Sequence, residues 1–185
     1  MSRPDREPTV LVVTSQTGVE RDELLKPLKQ LRANGIRVTH AAPSTDAVQT
    51  FVHDTEADTT VDPDTDLASV SVSDFDALVV PGGTVNADKL RATKEAVDLA
   101  RGFADAGKTI AAICHGPWLL VEADLIRGKT MTSYPSLQTD VRNAGGQWVD
   151  EQVVRTQDGW TLITSRNPRD LDAFCSAIET EVGAK

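Results

Sequence analysis

Residues 109–120 read TIAAICHGPWLL, and this run bears on both the fold and the place where chemistry is expected. Residues 109–113 are apolar and partly β-branched, as in a buried strand, while Gly116, Pro117 and the apolar residues behind them signal a helix start. Cys114 therefore falls on a strand-to-helix turn. Such a turn lifts a side chain off the sheet and needs little bulk two positions to either side, which Ala112 and Gly116 supply. A thiol there meets the positive end of a helix, which favours thiolate and predicts a pKa drawn from about 8.5 toward neutrality. The alternative is a buried, inert cysteine.

Outward from this run, strand and helix patterns alternate. Residues 10–14 form an apolar run suited to a central parallel strand, and a helix is expected over 18–34, with Leu24, Leu25, Leu28 and Leu31 on one face. Pro27 lies inside that pattern and predicts either a late start or a bend. A second strand is expected over 36–41 and a third over 77–80, the latter closed by Pro81, Gly82 and Gly83. Between them, residues 44–74 are rich in Asp, Thr and Val in short alternating pieces, predicting small strands and surface loops or a contact arm. One helix is expected over 87–106, a short one after Cys114 and another over 136–143. A hairpin over 153–156 and 160–164 turns at Asp158 and Gly159, and a last helix begins at Asn167 and Pro168 with Leu171, Phe174, Cys175, Ile178 and Val182 in one stripe. The whole predicts a single α/β domain over 1–185: a three-layer α-β-α sandwich, flavodoxin-like, with a mostly parallel sheet and a small C-terminal hairpin. Functional groups in such sheets gather at the carboxyl ends of the strands.

Composition excludes several classes. A net charge of −9 with no Lys/Arg cluster disfavours nucleic acid and anionic membrane, and aromatic content of 4% disfavours a base-stacking platform. Two cysteines, without a signal peptide or a membrane-length apolar run, predict a reduced, cytoplasmic protein without a disulfide framework.

Glycines 82 and 83 let the backbone turn N–H groups toward a neighbouring site, so Gly83 N–H with His115 N–H would form an oxyanion hole; an ordinary strand-ending turn is the alternative. Glu23, one turn into the first helix, is placed where its carboxyl could meet the Cys114 sulfur. Partly desolvated there, it would hold its proton near neutrality and act as general acid or base. A solvated acid favoured by the helix dipole is the competing reading, and it suits Glu20 better than Glu23. His115 follows Cys114 directly and can serve it only if a kink or a third group turns its ring, so an orienting carboxylate is required, with Asp88 a candidate. No histidine follows His115, which excludes an amidotransferase-type triad with a distant histidine. His40 and His53 are expected to be structural or solvated, and no metal site or cofactor is expected.

The runs GVERDELLKPLKQL (18–31), DFDALVVPGGTVNADKLR (74–91), AAICHGPWLL (111–120), TSYPSLQTDVRNAGGQWVDE (132–151) and SRNP (165–168) together resemble the PfpI family of the class I amidotransferase-like superfamily. The resemblance implies that Cys114 is the nucleophile, His115 its neighbouring histidine, Glu23 the carboxyl that contacts the thiol and Gly83 an oxyanion donor. It also implies a homo-oligomer, dimer or hexamer, in which Asp88 reaches into a neighbouring subunit's site to orient the histidine. Tyr134 matches an aromatic position near the site, with packing as its other reading, and Glu20 and Gly82 complete a possible substrate pocket. Residues 44–74 match poorly, and Ser15, Gln16 and Thr17 replace the usual Asp-Gly-Phe type of access loop. The activities implied are glutathione-independent conversion of methylglyoxal to lactate or deglycation, intracellular cysteine peptidase activity, or redox sensing without catalysis.

Overall fold

Residues 6–183 are described in a computed structural model. The chain runs β1 (Thr9–Val13), β2 (Thr17–Glu20), α1 (Arg21–Ala33), β3 (Arg37–Ala42), β4 (Val48–Val52), β5 (Glu56–Val61), β6 (Thr65–Asp66), β7 (Ala77–Val80), α2 (Thr84–Arg91) and α3 (Lys94–Asp105). It continues through β8 (Thr109–Ile113), α4 (Pro117–Glu122), β9 (Thr130–Met131), α5 (Gln138–Asn143), β10 (Gln147–Trp148), β11 (Val153–Asp158), β12 (Trp160–Ser165) and α6 (Leu171–Val182).

The main sheet has the order β11-β12-β8-β7-β1-β3-β6, parallel throughout except for β11, which pairs antiparallel with β12. TVLVV, ALVV and TIAAI are buried along their whole length because helices cover both faces. The pleat sends Leu11, Val13, Leu78, Val80 and Ile110 toward Ala96, Ala100 and Phe103 of α3 and Leu119 of α4. It sends Val10, Val12, Val79, Ala111 and Ile113 toward Leu24, Leu28 and Leu31 of α1 and Phe174, Cys175 and Ile178 of α6. The layered α/β arrangement expected from the sequence is therefore present. Cys175 is core, and burial pushes its thiol pKa up to about 12.

Four local expectations are corrected. Residues 17–20 are strand rather than helix, so α1 begins at Arg21. Pro27 does not delay α1 into a start at its own first turn, which removes the late-start alternative: the helix runs from Arg21 to Ala33 with Pro27 buried inside it, and the missing N–H leaves the Glu23 carbonyl without its usual donor four residues on. The single helix expected over 87–106 starts earlier, at Thr84, and is two helices. Thr93 breaks it by donating its hydroxyl to the Lys89 carbonyl at 2.9 Å, a local bond that competes with the helical ladder. The helix expected over 136–143 opens as a 3-10 turn, Pro135–Leu137, and becomes α-helical only at Gln138. Residues 44–74 hold short elements, as expected: β4 and β5 form a hairpin that pairs with β2 in a separate three-stranded sheet.

His40 on β3 is buried, with Nε2 2.8 Å from Thr14 Oγ1 and Nδ1 without a partner. Burial lowers its pKa from 6.5 to about 4, against the nearby Asp64 charge and with that of Arg32. The unfolded chain thus binds a proton that the folded chain refuses. Stability contributed by neutral His40 is complete above pH 6.5 and is lost as the pH falls toward about 4, a change of about 3 kcal/mol. Urea unfolding at pH 7 and 4.5 is expected to show His40→Gln losing about 2 kcal/mol less than wild type over that interval. Parallel losses in the two proteins would place the acid sensitivity elsewhere.

Candidate functional site

The carboxyl ends of β1, β7 and β8 meet at one edge, and the segments that follow them carry the site. Cys114 sits at the end of β8 with φ +61°, in the left-handed region where a side chain costs about 1–2 kcal/mol. Its N–H donates to Ser165 O at 3.1 Å and its carbonyl accepts from Tyr134 N at 2.9 Å, so the elbow is held from both sides. Beside it, Gly82 has no room for a side chain: a Cβ there would lie 2.6 Å from Cys114 Cβ and 2.9 Å from Ile113 O. Gly83 takes φ +91° against the Gly18 carbonyl, which turns its N–H toward the sulfur.

Glu23, the third residue of α1, is completely buried next to the thiol. Gly82 N donates to Glu23 Oε2 at 2.7 Å, Oε1 is buried without a nitrogen or oxygen partner, and the carboxyl interacts with the Cys114 thiol. Burial, helped by the charges of Glu20 and Asp54, pushes the carboxyl pKa from 4.5 to about 8. The same burial, together with the Glu23 charge, pushes the Cys114 thiol up against the favourable Gly83 and His115 N–H groups. This corrects the expectation of a low-pKa cysteine. Desolvation by the packed site outweighs the dipole of a six-residue helix, and the thiol ionises readily only while Glu23 keeps its proton.

His115 is buried, with Nδ1 3.2 Å from Cys114 Sγ. Its ring stacks on Tyr134 (centroids 4.7 Å apart, planes at 25°) and meets the edge of Trp118 at 5.3 Å. Burial lowers its pKa, so the ring is neutral at neutral pH. Its Nε2 is 3.4 Å from both Thr84 Oγ1 and Ser136 Oγ. Cys114, His115, Glu23, Gly82, Gly83 and Tyr134 are thus brought together. Glu20 is placed differently: it is buried, and its carboxylate accepts from the His53 and Asp54 N–H groups at 3.2 and 3.3 Å instead of facing solvent or a substrate. Asp88 is exposed on α2 and makes no hydrogen bond or ion pair among the described residues, so within one chain it does not orient His115.

Several contributors carry no sequence signal of their own. Asn86 is buried; its Oδ1 accepts from Ser15 N at 2.7 Å and its Nδ2 donates to the carbonyls of Pro81 and Gly82 at 3.1 and 3.0 Å, bracing the glycine turn. Asp54, in the β4–β5 turn, reaches Thr84 from a segment with little periodicity. Among the described residues, no group of three or more His, Cys, Asp or Glu is arranged to hold a metal ion, and no helix is long and apolar enough to cross a membrane.

The signature of the DJ-1/PfpI family matches residues 8–181. The chain belongs to the DJ-1/PfpI family. Within it, the chain is 44% identical over 119 residues to a protein of Escherichia coli named protein/nucleic acid deglycase 2, spanning 64% of this chain and 66% of that one. It is 35% identical over 166 residues to deglycase PfpI of Pyrococcus furiosus, covering 89% of this chain and 93% of the relative. Among solved structures, Drosophila melanogaster DJ-1beta superposes with a TM-score of 0.85 at 34% identity, covering 97% of this chain and 92% of the other. The DJ-1/PfpI fold assigned from the sequence and that of the neighbour are the same flavodoxin-like sandwich.

Proposed function

We propose that this protein is a cysteine-dependent enzyme acting on reactive aldehydes, converting methylglyoxal to lactate without glutathione or removing its adducts. One observation carries the reading: a thiol, an imidazole nitrogen 3.2 Å from it, and a carboxyl whose pKa is raised to about 8 share one buried site. Relatives named deglycase support it.

Cys114 sulfur adds to the aldehyde carbon, its proton passing to His115 Nδ1, and the Glu23 carboxyl gives its proton to the carbonyl oxygen, which yields a hemithioacetal and a Glu23 carboxylate. The Gly83 and His115 N–H groups, both directed at the sulfur, would stabilise the charge that develops on the carbonyl oxygen of an aldehyde bound there. Glu23 then takes the proton from the first carbon and returns it to the second through an enediol, leaving a lactoyl thioester. Water hydrolyses the thioester, so methylglyoxal plus water becomes lactic acid and the thiol is restored. A carboxyl poised near pH 8 suits the step because it accepts and releases the same proton at little cost.

The test is lactate formation from methylglyoxal by the full chain in amine-free buffer without glutathione. Saturable production supports the reading, and none above the uncatalysed rate overturns it. Glu23 Oε1, buried and unpartnered beside the thiol, favours redox sensing as a second reading. Two equivalents of peroxide would convert the thiolate to a sulfinate and two waters, with the Glu23 carboxyl proton bound to a sulfinate oxygen. Peptide mass spectrometry after mild peroxide is then expected to find two added oxygens on Cys114 and none on buried Cys175; equal oxidation of both would remove this reading.

A further inference from the structure

Ser165 closes β12 as a fully buried residue whose Oγ has no hydrogen-bonding partner. A hydroxyl in that condition costs stability unless something bonds it, so it calls for a physical account. Strand pairing fixes which way it faces. β12 runs parallel to β8, with Leu162 opposite Ile110, Ile163 opposite Ala111 and Ser165 opposite Ile113. Leu162 and Ile110 belong to the core beneath α3 and α4, whereas Ile163, Ala111 and Ile113 belong to the core beneath α1 and α6. Alternation along the strand therefore puts the Ser165 side chain on the α1 side, the side from which Glu23 reaches the site.

The strand order β12-β8-β7 then sets Ser165, Cys114 and Gly82 side by side at the sheet edge. Cys114 is the middle one: its N–H donates to Ser165 O at 3.1 Å, and its Cβ crowds the space above Gly82. Glu23 is fixed on the Gly82 side by the 2.7 Å bond that its Oε2 accepts from Gly82 N. The thiol thus has a carboxyl on one flank and a hydroxyl on the other. Each brings a buried oxygen, Glu23 Oε1 and Ser165 Oγ, with no nitrogen or oxygen partner, and the two do not bond each other. A protonated carboxyl and a hydroxyl can each donate and accept, which is the set of groups that holds an internal water. Burial of all three residues favours a held water over bulk solvent as a reactant at Cys114.

We propose that Ser165 Oγ and Glu23 Oε1 bind one internal water beside Cys114 and that this water hydrolyses the lactoyl thioester, with Ser165 as its positioning residue. The proposal rests on the reading of Cys114 as the nucleophile of the aldehyde reaction. When the thioester has formed, Glu23 is a carboxylate and His115 carries the proton taken from the sulfur. The water oxygen adds to the acyl carbon, and its proton passes to Glu23. The carbon–sulfur bond breaks, lactic acid leaves, and the thiolate recovers its proton from His115. Thiol, imidazole and carboxyl are then back in their starting forms.

Ser165→Ala separates this step from those before it, because thiol, imidazole and carboxyl all remain. Under saturating methylglyoxal, intact-protein mass spectrometry of the quenched full chain is expected to find one methylglyoxal mass added at Cys114 in most Ser165→Ala molecules and in few of wild type. Lactate kinetics should show kcat and KM falling together by about 10-fold, with kcat/KM within about twofold of wild type, since only a step after thioester formation is slowed. Two measurements need no substrate. A crystal structure of the wild-type chain is expected to show an ordered water within about 3 Å of both Ser165 Oγ and Glu23 Oε1. The melting temperature of Ser165→Ala should fall, because a bonded hydroxyl is lost; an unbonded one would give the opposite sign, since alanine relieves its burial. Three results overturn the proposal: no ordered water at that position, a higher melting temperature for Ser165→Ala, or kcat/KM falling as far as kcat, as a strand that merely braces the elbow would give. Absence of lactate in wild type would remove the hydrolytic role together with the proposed reaction, while the crystallographic water would still establish the site.

Discussion

Replacement of Cys114 by alanine is expected to lower lactate formation from methylglyoxal by about three orders of magnitude or more, to the uncatalysed rate. The reason is connectivity. In the proposed reaction each later step happens on a carbon bound to Cys114 Sγ, so His115 and Glu23 would have nothing to act upon once the sulfur is gone. The fold should tolerate the change, because alanine and cysteine face the same constraint at φ +61° and the loss of one buried sulfur costs about 1–2 kcal/mol. Cys114→Ser retains a hydrogen-bonding atom but raises the barrier to ionisation, and is expected to be as inactive as alanine. Steady-state lactate assays with circular dichroism on each variant make the measurement. A folded Cys114→Ala protein with a tenth or more of wild-type activity would place the chemistry away from this cysteine.

The elements legible in the sequence are those whose patterns are set by full burial. VLVV, ALVV and TIAAI can only be central strands because nothing polar interrupts them, and the CHG turn follows from the helix signals behind β8. Illegible elements depend on partners remote in sequence. The strand β2 exists because β4 pairs with it, and no alternation over residues 17–20 announces it. Asp54 lies in a stretch of polar residues that reads as surface, and its importance comes from Thr84, 30 residues away. The acidity of Cys114 is illegible in the sequence for a related reason. A helix start is visible locally, whereas the desolvation that overrides it is made by the buried Glu23 and the glycine turn arriving from two other segments. Position along the chain brings Cys114, His115 and Glu23 forward as candidates, and packing determines their protonation.

That separation between chemistry and packing gives Glu23→Gln opposite effects on activity and stability. The amide can keep the hydrogen bond from Gly82 N, since one oxygen remains to accept it, but it can neither take nor return a proton. Lactate formation should fall about 10²- to 10³-fold with little change in KM. Stability should move the other way. Burial raises the carboxyl pKa from 4.5 in the unfolded reference to about 8, so the folded chain retains a proton that the unfolded chain releases. The carboxyl's contribution is fully present below pH 4.5 and is lost as the pH rises through about 8, a loss on the order of 4 kcal/mol. Glutamine does not ionise and escapes that loss. Urea unfolding of the two proteins should therefore give similar stabilities near pH 4.5, with the variant gaining about 1 kcal/mol on wild type for each pH unit above it and levelling off beyond about 8. Because the Glu23 charge also raises the Cys114 thiol, the same series in a Cys114→Ala background should show a less coupled, simpler titration. Parallel pH profiles for wild type and Glu23→Gln would mean that the carboxyl is solvated in the folded protein, and the proton shuttle assigned to it would fall with its raised pKa. A variant that is both more stable and inactive would instead mark Glu23 as a carboxyl whose burial costs stability and serves the chemistry at Cys114.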